Sequence, residues 1–180
     1  MISRKWLAPG VLCLAVMTSG AMAADPPPAP QVVVQAPIPP PPPAFSWTGP
    51  YVGVHGGIFV DPGFTFGNWR AGLQAGYNAL FGRAVLGAEV AVAAEIFPGP
   101  TFTYDAIFAG KAGFLAGDRV LIFAELGIGV PGPAWIAGGG VEVAVGEAVS
   151  VFGKALALGG LGGGGFYGTL VHVGLNWHPR

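Results

Sequence analysis

From Tyr51 onward, apolar and polar positions alternate with a period of two, which is the periodicity of a β-strand. The alternation falls into eight segments, 47–60, 69–81, 84–97, 101–116, 119–130, 134–145, 148–158 and 166–177. Between them stand residues that supply unusual backbone angles or forbid ladder hydrogen bonds. They are Asp61-Pro62-Gly63, Gly82-Arg83, Pro98-Gly99-Pro100, Gly117-Asp118, Pro131-Gly132-Pro133, Gly146-Glu147 and the glycine cluster at 159–165. The second, fourth and sixth breaks are tight turns of glycine plus a charge, whereas the others are rich in proline or glycine and on average longer. Short turns at one end and longer loops at the other predict an all-β fold, an eight-stranded antiparallel up-and-down transmembrane barrel.

Sorting the side chains by parity separates two faces. One carries valine, leucine, isoleucine and aromatic residues, such as Val52, Val54, Leu73, Val90, Val92, Phe108, Ile122, Val143, Val151 and Val173. The other carries His55, Arg70, Gln74, Asn78, Glu89, Glu95, Asp105, Lys111, Glu125, Glu142, Lys154, His172 and Asn176, interleaved with glycine and alanine. Every charge within the eight segments lies on this second face. The remaining charges after Phe45, at Asp61, Arg83, Asp118, Arg119, Glu147 and Arg180, fall in turns, loops or the tail.

Either face can be outside, and the two choices describe different proteins. A soluble, lipocalin-like periplasmic barrel would line its cavity with the apolar face. It would meet water with glycine, alanine and about one charge per strand, a poor surface for solubility. A membrane barrel turns the apolar face to lipid and encloses the charges. Because a lipid-facing charge at mid-depth costs about 2–4 kcal/mol, a face free of charge over eight strands favours the membrane barrel. A helical membrane protein fits less well, since its best apolar window, 155–171, is interrupted by "GGLGGGG" and falls short of the roughly 20 residues a spanning helix needs.

Composition agrees. Of 180 residues only 9% are charged, against 52% hydrophobic, and the net charge of −1 gives no basic excess for nucleic acid. Arg4 and Lys5 precede an apolar run ending near Met17, and Ala21-Met22-Ala23 supplies small residues for cleavage, so residues 1–23 are expected to be an export signal. The single cysteine, Cys13, lies within it, which leaves the exported chain without disulfides or thiolate metal sites. Residues 24–44 are proline-rich and hold nothing that forms a core, so a disordered periplasmic linker is expected there, with polyproline II as its local state and a possible periplasmic contact. The barrel is expected over 45–180. Trp47, Trp69, Trp135 and Trp177 lie near strand ends, where amphipathic rings suit the boundary between headgroups and water.

The leader "AADPPPAP", the opening strand "FSWTGPYVGVHGG", "GVEVAV" in the sixth segment and the ending "TLVHVGLNWHPR" together resemble the porin-like family of small alpha-proteobacterial outer-membrane β-barrel proteins. The most specific pieces are W-T-G-x-Y-V-G-V at 47–54 and V-G-L-N-W at 173–177. The resemblance implies an outer-membrane barrel, inserted by the barrel-assembly machinery, with no enzymatic activity. Members of that family usually end on an aromatic residue, whereas this chain continues past Trp177 with His178, Pro179 and Arg180.

Candidate chemistry is sparse. His55 and His172 share the charged face and are expected nearly opposite each other where the first and last strands meet. They are expected to hydrogen-bond lumen glutamates in preference to holding a metal, since no third ligand is evident. Ser150 with His172 and Glu142 has the composition of a hydrolase triad without evidence of its geometry. "GLGGGG" at 160–165 precedes no helix and supports no phosphate cradle. No cofactor or metal is expected. His55, Arg70, Glu89, Asp105, Lys111, Glu125, Glu142, Lys154 and His172 are expected in the lumen, either as a salt-bridged plug or as the lining of a narrow pore. The expected function is therefore structural, with at most narrow porin-like permeability. The alternative is the soluble ligand-binding barrel.

Overall fold

The computed structural model describes residues 45–96 and 102–179. The expected export signal, the proline-rich segment, the residues at 97–101 and Arg180 lie outside the described residues. Eight strands follow one another in chain order, and the described residues contain no helix. They are β1 (Gly49–Val60), β2 (Phe66–Phe81), β3 (Ala84–Ile96), β4 (Phe102–Leu115), β5 (Val120–Val130), β6 (Ala134–Ala144), β7 (Val149–Gly160) and β8 (Phe166–Trp177). Each pairs antiparallel with the next, and β1 pairs with β8 from Val52↔Trp177 to Val60↔Thr169, which closes the sheet into a barrel. Closure removes both sheet edges, the condition for placing strands in hydrocarbon, where no water is present to satisfy a free amide or carbonyl. The shortest strands have 11 residues, enough for a tilted crossing.

The strands run slightly beyond the expected segments in two places. β2 begins at Phe66, because the turn at 61–65 is tight enough for Val60 to pair with Phe66. β7 continues to Gly160 by pairing Gly159 with Phe166 after a register shift. The tight turns hold glycine where the backbone is left-handed, at Gly82 (φ 65°) and Gly117 (φ 100°).

The β1–β2 turn places Phe64, a bulky residue, at φ 60°. Its geometry is imposed by Asp61. One Asp61 carboxylate oxygen accepts from the amides of Gly63 (2.8 Å) and Thr65 (2.9 Å), and the Asp61 carbonyl accepts from Phe64 N–H. The preceding glycine, which would adopt that conformation without strain, stands one position too early.

The sidedness is unambiguous. Val52, Leu73, Leu86, Val92, Phe108, Ile122, Leu126, Val173 and Leu175 are exposed on the outer wall. Among the described residues no strand charge faces outward. The apolar face is thus the exterior, which sets aside the soluble barrel that needed it inside. Trp69 and Trp177 lie exposed on this wall, near the loop end and the turn end respectively. Trp135 is half-buried, because its indole lies over Gly159 on β7.

Trp47 departs from the expectation of a headgroup-facing ring. It is only 3% exposed and packs against Val85, Leu115, Leu121, Phe123 and Ala144 inside the turn end of the barrel. The chain bends inward at Gly49 (φ 125°), and the indole N–H donates to the Asp118 carbonyl at 3.0 Å, so the ring is buried with its one donor satisfied.

Two substitutions test these assignments by equilibrium unfolding in detergent or lipid. Val92→Arg, on the outer wall in mid-strand, is expected to destabilise the barrel by about 2–4 kcal/mol. Phe64→Gly is expected to stabilise it by about 1 kcal/mol through relief of the left-handed strain.

Candidate functional site: the ionic lumen

Inside the barrel, large polar residues alternate with glycine, and the two are complementary. A Cβ at Gly72 would collide with the His55 imidazole, and one at Gly76 with the Tyr51 phenol. The space released by the glycines is therefore occupied by side chains from the neighbouring strand.

At mid-depth, Glu89 on β3, Lys111 on β4, Glu125 on β5 and Lys154 on β7 form a closed square of alternating charge. Lys111 Nζ lies 3.1 Å from Glu89 Oε2 and 3.7 Å from Glu125 Oε1. Lys154 Nζ lies 3.1 Å from Glu125 Oε2 and also bonds Glu89 Oε1. Each ammonium thus meets both carboxylates, and all four side chains are no more than 2% exposed. Tyr51 completes the group. Its hydroxyl donates to Glu89 Oε2 at 2.6 Å and accepts from Lys111 Nζ at 2.9 Å. The ammoniums also sit over aromatic faces, Lys111 at 4.8 Å from the Tyr51 centroid and 4.6 Å from that of Phe123. Burying an ion costs several kcal/mol, which is offset only when every charge has partners in good geometry. The square meets that condition with no net charge left over.

Two further polar groups flank it. Toward the turn end, Glu142 Oε1 accepts from Ser150 Oγ (2.5 Å) and Asn176 Nδ2 (2.8 Å) and lies 3.3 Å from His178 Nε2. Gln74 Nε2 donates to Asn176 Oδ1 at 2.7 Å. Toward the loop end, Arg70 holds Glu95 Oε1 at 2.7 Å through Nη1 and bonds Asp105 Oδ2 through Nη2. Glu95 and Asp105 are about one-fifth exposed, at 20% and 23%, where they face a mouth cavity of about 300 Å³ shared with Phe59, Tyr167 and Leu170.

Apolar layers lie on both sides of the square. On the loop side, Ala91, Ile107, Ala109, Ile136, Leu156 and Leu170 form a buried cluster with Phe59 and Leu158 against it. On the turn side lies the Trp47 cluster. Apart from Trp47, these inward apolar residues, with Tyr51 and His178, stand out in the sequence only through parity. Parity contained the signal, since Phe123 lies two positions from Glu125, Leu156 two from Lys154, Tyr51 four from His55 and His178 two from Asn176.

The two histidines come together across β1 and β8 as expected, but without the expected glutamate bonds. His55 pairs with Gly174 and His172 with Gly57, which makes them diagonal neighbours, and their rings stack at 4.7 Å with 29° between planes. None of their ring nitrogens has a hydrogen-bond partner among the described residues, so the expected bonds to glutamates are absent. Stacked rings direct their lone pairs side by side, away from any common point, which disfavours a shared metal. Among the described residues, no group of three or more His, Cys, Asp or Glu is arranged to hold an ion.

Ser150 meets His178 at 3.1 Å, a different histidine from the one considered for a triad. Ser150 Oγ and Glu142 Oε1 both approach the same ring nitrogen, Nε2, while Nδ1 has no partner. A triad requires the acid on one nitrogen and the nucleophile on the other.

No protein-family profile and no curated protein matches the chain. Among solved structures it is similar to the crystal structure of Ail, the attachment invasion locus protein of Yersinia pestis. The TM-score is 0.56 with 9% identity, over 72% of this chain and 96% of that one. A structure from the de novo design of transmembrane β-barrels aligns with 74% of this chain and 98% of its own, at 12% identity and a TM-score of 0.43, too low to carry an argument. The likeness to Ail shows the fold: the chain is a closed eight-stranded transmembrane-type barrel.

The square is testable by a double-mutant cycle on the folded barrel. Glu125→Gln strands a buried ammonium and is expected to cost about 3–5 kcal/mol. Adding Lys154→Met leaves Glu89 with Lys111 as a neutral pair and is expected to recover most of that loss.

Proposed function

We propose that the protein is a structural barrel of the bacterial outer membrane, exported by residues 1–23 and inserted by the barrel-assembly machinery, with at most narrow passive permeability. The observation that carries this reading is the neutral square of Glu89, Lys111, Glu125 and Lys154 at mid-lumen, with an apolar layer on either side. An ion entering from the turn end meets the aromatic closure first, and one entering from the loop end passes the Arg70 group and then meets the aliphatic layer. Either ion then meets charges already engaged with one another, so entry requires breaking interactions that have nothing else to satisfy them. The apolar exterior and the Ail-like fold support the membrane location. The reading includes no catalysis, since the Ser150–Glu142–His178 contacts lack the geometry of a relay. A periplasmic contact through residues 24–44 belongs to the same proposal.

Planar-bilayer recording tests it. The purified protein is expected to give no resolved conductance steps at moderate voltage. Steps whose ion selectivity reverses in Glu125→Lys would identify the lumen as a pore and overturn the sealed reading.

A further inference from the structure

The seal at the turn end differs in kind from the rest of the lumen, because its outermost part comes from outside the strands. Residues 45–48 precede β1, and His178 follows β8. Phe45 meets Trp47 edge to face at 4.7 Å and meets the His178 ring at 4.7 Å. The His178 ring in turn stacks on Tyr51 at 5.5 Å. Behind this aromatic layer lie Ser150, Glu142 and Asn176, all essentially inaccessible.

The attachment of residues 45–48 is weak compared with a strand. No ladder holds them. Their bonds to the wall are Trp47 Nε1 to the Asp118 carbonyl (3.0 Å) and Leu80 N–H to Thr48 Oγ1 (3.2 Å). At their junction with β1 stands Gly49, with φ 125° and no atom within 4 Å of where a Cβ would sit. Gly49 ends the β1–β2 ladder by pairing with Asn78, and without a side chain its backbone can leave this angle at no steric cost. The aromatic contacts are directionless and break one at a time, whereas a ladder strand separates only by cooperative loss of its hydrogen bonds.

We propose that residues 45–48 are a detachable stopper, hinged at Gly49, whose withdrawal uncovers His178 and the Ser150–Glu142–Asn176 network behind it while the barrel stays folded. Because the stopper continues directly into residues 24–44, anything that engages that segment has a mechanical route to the lumen. This extends the sealed-barrel reading, since it makes one of the seals conditional.

Thiol labelling tests the stopper without reference to conductance. The only cysteine in the sequence is Cys13, so Cys13→Ser with Ser150→Cys gives a single reporter behind the stopper. In the folded, membrane-inserted protein a small charged methanethiosulfonate is expected to label this site slowly. Adding Phe45→Ala and Trp47→Ala is expected to accelerate labelling at least tenfold. Gly49→Ala, which keeps every stopper side chain but disfavours the hinge conformation, is expected to accelerate it severalfold. A second reporter, Leu170→Cys in the loop-side cluster, controls for general loosening and is expected not to change. Fast labelling of Ser150→Cys with the stopper intact, continued protection without it, or an equal rise at Leu170→Cys would each overturn the proposal. Conductance by the unmodified protein would overturn the sealed reading alone and leave the labelling result to be judged by itself.

Discussion

The pairing of β1 with β8 is the constraint on which the other features depend. In hydrocarbon an unpaired strand edge would expose a row of amides and carbonyls at several kcal/mol each, so the sheet exists in lipid only when its ends meet. Once it closes, the two faces of every strand are assigned together. The strand period of two then makes each residue either wall or filling, with nothing between. Charge on the wall is excluded by the lipid. Charge in the filling is admissible only if compensated within a space a few side chains wide.

That narrowness accounts for the chemistry inside. Eight strands enclose a volume that side chains fill, and the inward glycines let long residues from adjacent strands fold into the centre without backbone displacement. Tyr51 over Gly76 and His55 over Gly72 show the arrangement. The result is layered along the axis: an aromatic closure, an amide and carboxylate network around Glu142, the charged square, an aliphatic layer, and the Arg70 group open to the loop end. The stacked pair of His55 and His172 fits this scheme as filling, with no hydrogen-bond partner among the described residues.

How much of this was legible in the sequence follows from which interactions are local. Strand parity is local, so the eight segments, their sidedness and the enclosure of Glu89, Lys111, Glu125 and Lys154 could be read directly. The pairing of those four was not readable, since it depends on stagger between strands that are distant in sequence. The same stagger sets His55 and His172 diagonally, close enough to stack. Inward apolar residues such as Leu121 and Leu156 were inconspicuous because their outward neighbours, Ile122 and Ala155, are apolar too, and the alternation loses contrast there. Trp47 is ambiguous in the sequence for a different reason. A tryptophan at the foot of a strand suits a headgroup girdle or an internal closure equally well, and the choice rests on the backbone angle at Gly49, which composition does not reveal.

The square has a consequence for the way an electric field acts on the barrel. A transmembrane potential does work on a protein only through charge displaced along the field, about 2.3 kcal/mol per elementary charge per 100 mV. Two ammoniums and two carboxylates that shift as one unit displace no net charge. Voltage therefore has no lever on the square as long as its four charges move together.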